Sequence, residues 1–258
     1  VLAARRKVAA EVRGLPLFHT LRRGLGHLVE ALDAAAQPAR QDLRGAAEAL
    51  ECSEGGYRVR VNGAWLEAQQ LILACPAYEA AALLPGVDLE LADLLLSIPY
   101  TTSVTISLGY DKSSFSHPLN GFGFLVPRSE RRRLVACTWV NTKFSHRVAH
   151  DRVVLRCFLG DDEGALGESD ESLVAAVRDE LHRLMGVSAV PLFARVARWP
   201  RSMAQYTVGH QHRLARIRAR LANLPGLHLA GNAYEGIGIP DCVRTGKLAA
   251  QAVLTSPD

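Results

Sequence analysis

Apolar residues recur along this chain with two periods, and the switches between them mark out its elements. Leu25, Leu28, Val29 and Leu32 fall at i, i+3, i+4 and i+7, the single stripe of a helix that begins near Gly24. Residues 1–13 predict another helix, closed by Gly14 and Pro16. Between Ala46 and Ala74 the period drops to two. Tyr57, Val59 and Val61 alternate with Arg58 and Arg60, and Gly55-Gly56 and Asn62-Gly63 supply tight turns, so a small antiparallel meander is expected. It ends in Leu71-Ile72-Leu73-Ala74, stopped by Pro76, which reads as a strand buried on both faces.

Helices are expected next at 77–84 and near 89–96. Four strands follow, at 102–110, 121–126, 133–141 and 153–159, with short polar links that favour an antiparallel sheet. Leu173, Val174, Val177, Leu181 and Leu184 stripe a helix over 170–185. A strand at 192–199, a helix at 210–222, a strand at 227–231 and a helix at 241–254 complete the chain. The fold class is therefore mixed, α+β with α/β character. The first and last parts are expected to pair around the middle, giving two domains, one of them discontinuous: residues 1–84, 85–205 and 206–258 form the three segments.

Composition narrows the possibilities without changing this layout. In 258 residues, 48% are hydrophobic and 22% charged, an ordinary globular mixture long enough to bury a large core. The net charge is only +4 and is spread along the chain, with few aromatics to stack on bases, so no nucleic-acid partner is expected. Cys52, Cys75, Cys137, Cys157 and Cys242 are far apart and never form a C-x-x-C pair, which points away from a disulfide framework or zinc site and toward a reducing compartment. No apolar run reaches the 18 or so residues of a membrane span. The chain starts at Val1 inside an expected helix, and reads as a piece of a longer one.

Most candidate motifs dissolve on inspection. Gly24-Leu25-Gly26-His27-Leu28-Val29 lacks the third glycine and the preceding buried strand of a dinucleotide fingerprint. His146 and His150 have the spacing of zinc ligands on a helix, but Arg147 stands where a zinc hydrolase carries its Glu. Asp161, Asp162 and Glu163 read as a solvated loop, and Arg131, Arg132 and Arg133 as an exposed turn. Nothing resembles G-x-S-x-G. The last thirty residues are different: Leu227–Ala230 runs into Gly231-Asn232, a loop with Gly236 and Gly238, and Pro240 opening a helix. Proline suits a first helical turn, and a helix start reached through glycines offers free N–H groups and partial positive charge to an electron-rich group.

These residues, LHLAGNAYEGIGIPDCVRTGKLAAQAVL, resemble the carboxyl-terminal cofactor motif of flavin-dependent amine-oxidase-like enzymes, closest to the oxygen-dependent protoporphyrinogen-oxidizing branch. RWPRSMAQYTVGH at 198–210 is similar to a Trp-x-x-Ala-x-Pro-Gln-Tyr-x-x-Gly-His segment of that branch, departing at Met203-Ala204. GFGFLVPRSE at 121–130 and FHTLRRGLGHLVEAL are similar to two further stretches. The resemblance implies FAD as cofactor. Gly231 and Asn232 would lie by its ribityl or phosphate region, the backbone of Ile237, Gly238 and Ile239 would face the isoalloxazine ring, and Ala47, where the family more often has Val, would meet the adenine. Leu125 and Phe144 match apolar positions of a substrate domain that sandwich the tetrapyrrole. The implied activity is oxidation of a porphyrinogen, protoporphyrinogen or coproporphyrinogen, by oxygen in heme biosynthesis. No catalytic side chain or metal is implied; carotenoid desaturases, amine oxidases and a non-catalytic tetrapyrrole-binding module are the alternatives. The family's amino-terminal G-x-G-x-x-G unit is missing from these residues, so the chain alone is expected to bind FAD poorly. A cytoplasmic location is implied, with peripheral membrane contact and oligomer formation left open.

Overall fold

Residues 19–40, 43–160 and 163–255 are described by the structure, a computed structural model. In chain order the elements are α1 (Gly26–Ala36), β1 (Ala47–Ser53), β2 (Gly56–Val61), β3 (Ala64–Ala68), β4 (Leu71–Leu73), α2 (Ala77–Leu83), α3 (Leu89–Leu96), β5 (Tyr100–Asp111), β6 (Gly123–Leu125), β7 (Leu134–Trp139), α4 (Val140–Lys143), β8 (Arg152–Leu159), α5 (Asp170–Met185), β9 (Phe193–Ala204), α6 (His210–Leu221), β10 (Leu227–Leu229) and α7 (Ile239–Thr255). The chain divides into two units. The first holds the described residues of Val1–Gln41, Val104–Gly160 and Gly167–Ala197; the second holds those of Asp42–Ser103, Asp161–Leu166 and Arg198–Asp258.

In the second unit the meander forms as the sequence predicts, in the order β1-β2-β3. Asn62 and Gly63 both adopt positive φ, 51° and 77°, the backbone of the tight turn whose twist matches the strands it joins. Beside it, β4 pairs in parallel with β10, Leu71 opposite Leu227 and Leu73 opposite Leu229. This pairing brings residues far apart in the chain into one core, which also contains Leu50, Tyr57, Leu84, Leu91, Leu214 and Ile217. Asp88 caps α3: its Oδ1 accepts the Leu91 N–H at 2.9 Å, while Oδ2 accepts from Nε and Nη2 of Arg220 on α6 at 2.8 and 2.7 Å.

The first unit is built on a sheet of order β6-β7-β8-β5-β9, antiparallel where β6 meets β7, β7 meets β8 and β5 meets β8. Val104, Ile106 and Leu108 of β5 and Val153, Leu155 and Cys157 of β8 are buried at alternate positions. Helix α5 carries the predicted stripe, with Leu173, Val177 and Leu181 buried, Ser169 capping its start and Gly186 in the left-handed region at its end. Glu180 is buried on the same helix and its Oε1 accepts the N–H groups of Arg133 and Leu134 at 2.8 and 2.9 Å, tying α5 to the start of β7.

Several sequence expectations are corrected. The strand expected to be buried on both faces shortens to β4, and Ile72 is exposed. The stripe on α1 is helical, but none of its residues is buried and Leu25, Val29 and Leu32 are exposed. The strand expected over 133–141 ends at Trp139, because Val140–Lys143 turns into helix α4. β9 continues to Ala204, five residues beyond its expected end. His146 sits in a 3-10 turn (Ser145–Arg147) and His150 lies beyond it, so the two do not share a helix face. Arg133 is not a loose turn residue, since its guanidinium pairs with Glu168. The helix expected over 1–13 and the pair Asp161-Asp162 lie outside the described residues.

Candidate functional site

Between β10 and α7 the chain makes the glycine-rich loop singled out by its sequence, and two hydroxyl groups hold it. Thr245 of α7 is buried; its Oγ1 accepts the Gly231 N–H at 3.3 Å and donates to the Cys242 carbonyl at 3.1 Å. The Tyr206 hydroxyl donates to the Asn232 carbonyl at 2.8 Å and accepts the Gly236 N–H at 2.7 Å. The Tyr206 ring stacks on the buried His210 ring, with centroids 3.9 Å apart and planes 12° from parallel. His210 Nε2 lies 3.0 Å from the Tyr234 carbonyl, within the same loop. Burial holds the Tyr206 hydroxyl above its ordinary pKa, although the Gly236 N–H pulls the other way, so it stays protonated at neutral pH.

Gly236 is required by this geometry. Its φ is +127°, and a Cβ there would overlap the Asp241 carboxylate. Gly231 likewise has a positive φ, +126°, that side chains resist. On either side of Gly238, Ile237 and Ile239 are exposed, and Pro240 lies in the first turn of α7, whose bond from Cys242 N–H to the Gly238 carbonyl is 3.0 Å. The helix start therefore presents an exposed apolar pair beside N–H groups that carry roughly half a positive charge. Glu235 is held by Arg218 of α6 and Arg244 of α7, and hydrogen bonds from these two, Arg218 first, keep its carboxyl below the usual carboxylate range. A cleft of about 540 Å³ lies between α6, β10 and α7, lined by Leu214, Ile217, Leu229, Tyr234 and Leu248. Burial holds the Tyr234 phenol well above its ordinary pKa, and its hydroxyl has no hydrogen-bond partner among the described residues.

The remaining expected site residues sit elsewhere. Ala47 opens β1 and lines a cavity of about 250 Å³ with Leu50, Val59, Leu73 and Cys75, also in the second unit. Leu125 and Phe144 belong to the first unit. Leu125 is 79% exposed at the end of β6. Phe144 follows α4, its ring flanked by the Arg147 guanidinium at 5.0 Å and the Lys143 ammonium at 5.9 Å.

The sequence pattern described as flavin containing amine oxidoreductase matches residues 2–254. The chain belongs to that family. Among its relatives, the coproporphyrinogen III oxidase of Bacillus subtilis (strain 168) is 32% identical over 242 residues, which is 92% of this chain and 51% of the relative. The enzyme of the same name from Staphylococcus aureus (strain NCTC 8325 / PS 47) is 28% identical over 92% of this chain and 52% of its own length. A solved Exiguobacterium sp. 255-15 structure, described as a candidate protoporphyrinogen oxidase, superposes with a TM-score of 0.81 at 31% identity over 92% of this chain and 52% of that one. The chain thus spans about half the length of the relatives it matches.

The cofactor of this amine oxidoreductase family is a flavin, and the loop suits one. Two glycines in backbone conformations that side chains resist bring the main chain forward, and exposed Ile237 and Ile239 offer apolar surface to a flat ring beside a helix start. What sequence reasoning missed are the groups that hold the loop: Tyr206, His210, Thr245 and the Arg218–Glu235–Arg244 set. Tyr206 and His210 lay inside the segment 198–210 that carried the resemblance, but sequence spacing gives no sign that a tyrosine hydroxyl reaches a loop 26 residues away.

Proposed function

We propose that the full-length protein carrying this chain oxidises a porphyrinogen to the porphyrin with FAD, with dioxygen as electron acceptor, as a step of heme biosynthesis. Coproporphyrinogen III is the preferred substrate in this reading. The observation that carries it is the alignment of 92% of the chain, through both units, with relatives named coproporphyrinogen III oxidase. Bound FAD supplies the hydride acceptor, so the protein's work is to orient and to exclude water. In this reading residues 1–84 and 206–258 serve the cofactor and 85–205 the substrate. Gly231 and Asn232 lie by the ribityl or phosphate region, and Ala47 by the adenine. The backbone of Ile237, Gly238 and Ile239 faces the ring, and the α7 start favours the negative charge of its reduced form by roughly 0.3–2 kcal/mol. Leu125 and Phe144 give apolar surface to the tetrapyrrole, worth about 25 cal/mol per Å² covered. The cations around Phe144 suit a substrate that carries carboxylates.

The test joins the chain to the rest of its protein and records the flavin spectrum, then oxygen uptake with coproporphyrinogen III, protoporphyrinogen, a polyene and a primary amine. A yellow protein that consumes oxygen on the porphyrinogens, fastest on coproporphyrinogen III, is expected. A colourless protein that stays so with added FAD, or turnover confined to the amine or the polyene, overturns the reading.

A further inference from the structure

We propose that Tyr206 is the positioning residue of the glycine-rich loop: its hydroxyl, bridging the Asn232 carbonyl and the Gly236 N–H, sets the backbone that meets the flavin. The proposal rests on the flavin reading above, but its geometry stands on its own. Residues 232 and 236 are the two ends of a five-residue turn, and one hydroxyl bonds both, at 2.8 and 2.7 Å. A hydroxyl can donate once and accept twice, so the bridge uses its single proton on the carbonyl and a lone pair on the amide.

The ring that carries this hydroxyl is itself fixed. It stacks on His210, and His210 is 4% exposed and reaches the Tyr234 carbonyl at 3.0 Å. Three successive stations of the loop, at 232, 234 and 236, are thus tied to the segment Tyr206–His210. That segment turns through Gly209 at φ +89°, a left-handed conformation that starts α6 and swings His210 back under Tyr206. Gly236 has a wide backbone range of its own, so an external hold is what keeps it at φ +127°, and its neighbour Asp241 occupies the space a side chain would fill. Without the hydroxyl, the Gly236 amide has water as its alternative partner, and the peptide planes of 236–238 are free to rotate. Those planes are the surface a flat ring would contact. Tyr206 need not touch the cofactor to matter to it.

Tyr206→Phe keeps the ring and its stack and removes only the bridge. In the full-length protein, amide hydrogen exchange at Gly236 is expected to accelerate by about tenfold, with exchange in α6 and β4 unchanged. In the flavin-loaded protein the same variant is expected to shift the visible absorption bands and the midpoint potential of the flavin. Tyr206→Leu, which also forfeits the stack, is expected to exceed it in both. Unchanged exchange at Gly236 in both variants overturns the bridge. Faster exchange with an unaltered flavin spectrum and potential overturns the positioning role, because the loop is then held without facing the ring. If the unmodified protein binds no flavin, the oxidase reading fails, and the exchange measurement still decides the bridge.

Discussion

Two helix starts in the second unit solve the same physical problem in opposite ways. At α3 the buried Asp88 carboxylate caps the Leu91 N–H and is itself covered by the part-exposed Arg220, so the helix start is met by side chains of the chain itself. At α7 the start is reached through Gly236 and Gly238, the first turn carries a proline and an exposed isoleucine, and the Asp241 carboxylate packs against Gly236. The one acid there, Asp241, lies 3.6 Å from Arg244. A closed start serves stability. A start left to solvent costs stability unless a partner completes it, which is how the function proposed above uses α7, whereas α3 serves the fold.

The sharpest way to break the contrast is Asp88→Ala. The substitution removes a cap and leaves Arg220 facing a less polar site, so a loss of about 2 kcal/mol in unfolding free energy is expected from urea titration. Asp88→Asn, which can still cap but cannot pair ionically, should recover part of it. A loss below about 0.5 kcal/mol would mean that α3 is no better closed than α7. The Asp88 carboxyl is pushed up by burial, yet the Leu91 N–H and the Arg220 guanidinium outweigh this and hold it below its ordinary value, the direction expected of a cap that stabilises the fold as a carboxylate.

Gly236→Ala probes the open start. Positive φ and the overlap with Asp241 predict a local cost of about 1–2 kcal/mol, smaller than the Asp88 effect because an exposed loop can shift. Its consequence for the cofactor is expected to be greater than for the fold: flavin retained after gel filtration of the full-length protein should fall sharply while the unfolding midpoint drops by only a few degrees. Equal losses in both would place Gly236 with the structural glycines.

The difference between the two starts was only half legible in sequence. The meander announced itself through Asn62-Gly63, and α5 through its stripe, because each of these signals is local. The glycines before α7 and the proline in its first turn are equally local and mark a helix opening. The Asp88–Arg220 pair and the Tyr206 bridge join residues 132 and 26–30 positions apart, and nothing in residue spacing encodes such a meeting. Periodicity also failed where burial was uneven. β9 is mostly exposed and carries Pro200, so its last five residues gave no alternation to follow. The α1 stripe gave a helix but could not say what covers it, and Leu25, Val29 and Leu32 remain exposed.

The smallest expected effect concerns the ion pairs that flank the open loop. Glu235 sits between Tyr234 and Gly236, bound to Arg218 and Arg244, with all three side chains more than a third exposed. Solvent screening limits such pairs to a few tenths of a kcal/mol. Because the folded carboxyl titrates below its ordinary value of 4.5, the contribution is fully present above that pH and is lost as the pH falls through the lowered folded value. Glu235→Gln should therefore be slightly less stable than the parent chain at pH 7, and the difference should vanish in strongly acidic urea titrations. A gap that persists there would assign the effect to packing of the side chain and not to its charge. A gap of 1 kcal/mol or more at pH 7 would show the pairs to be a principal fastening of the loop, and the open helix start would then owe its shape to charge more than to the hydroxyls of Tyr206 and Thr245.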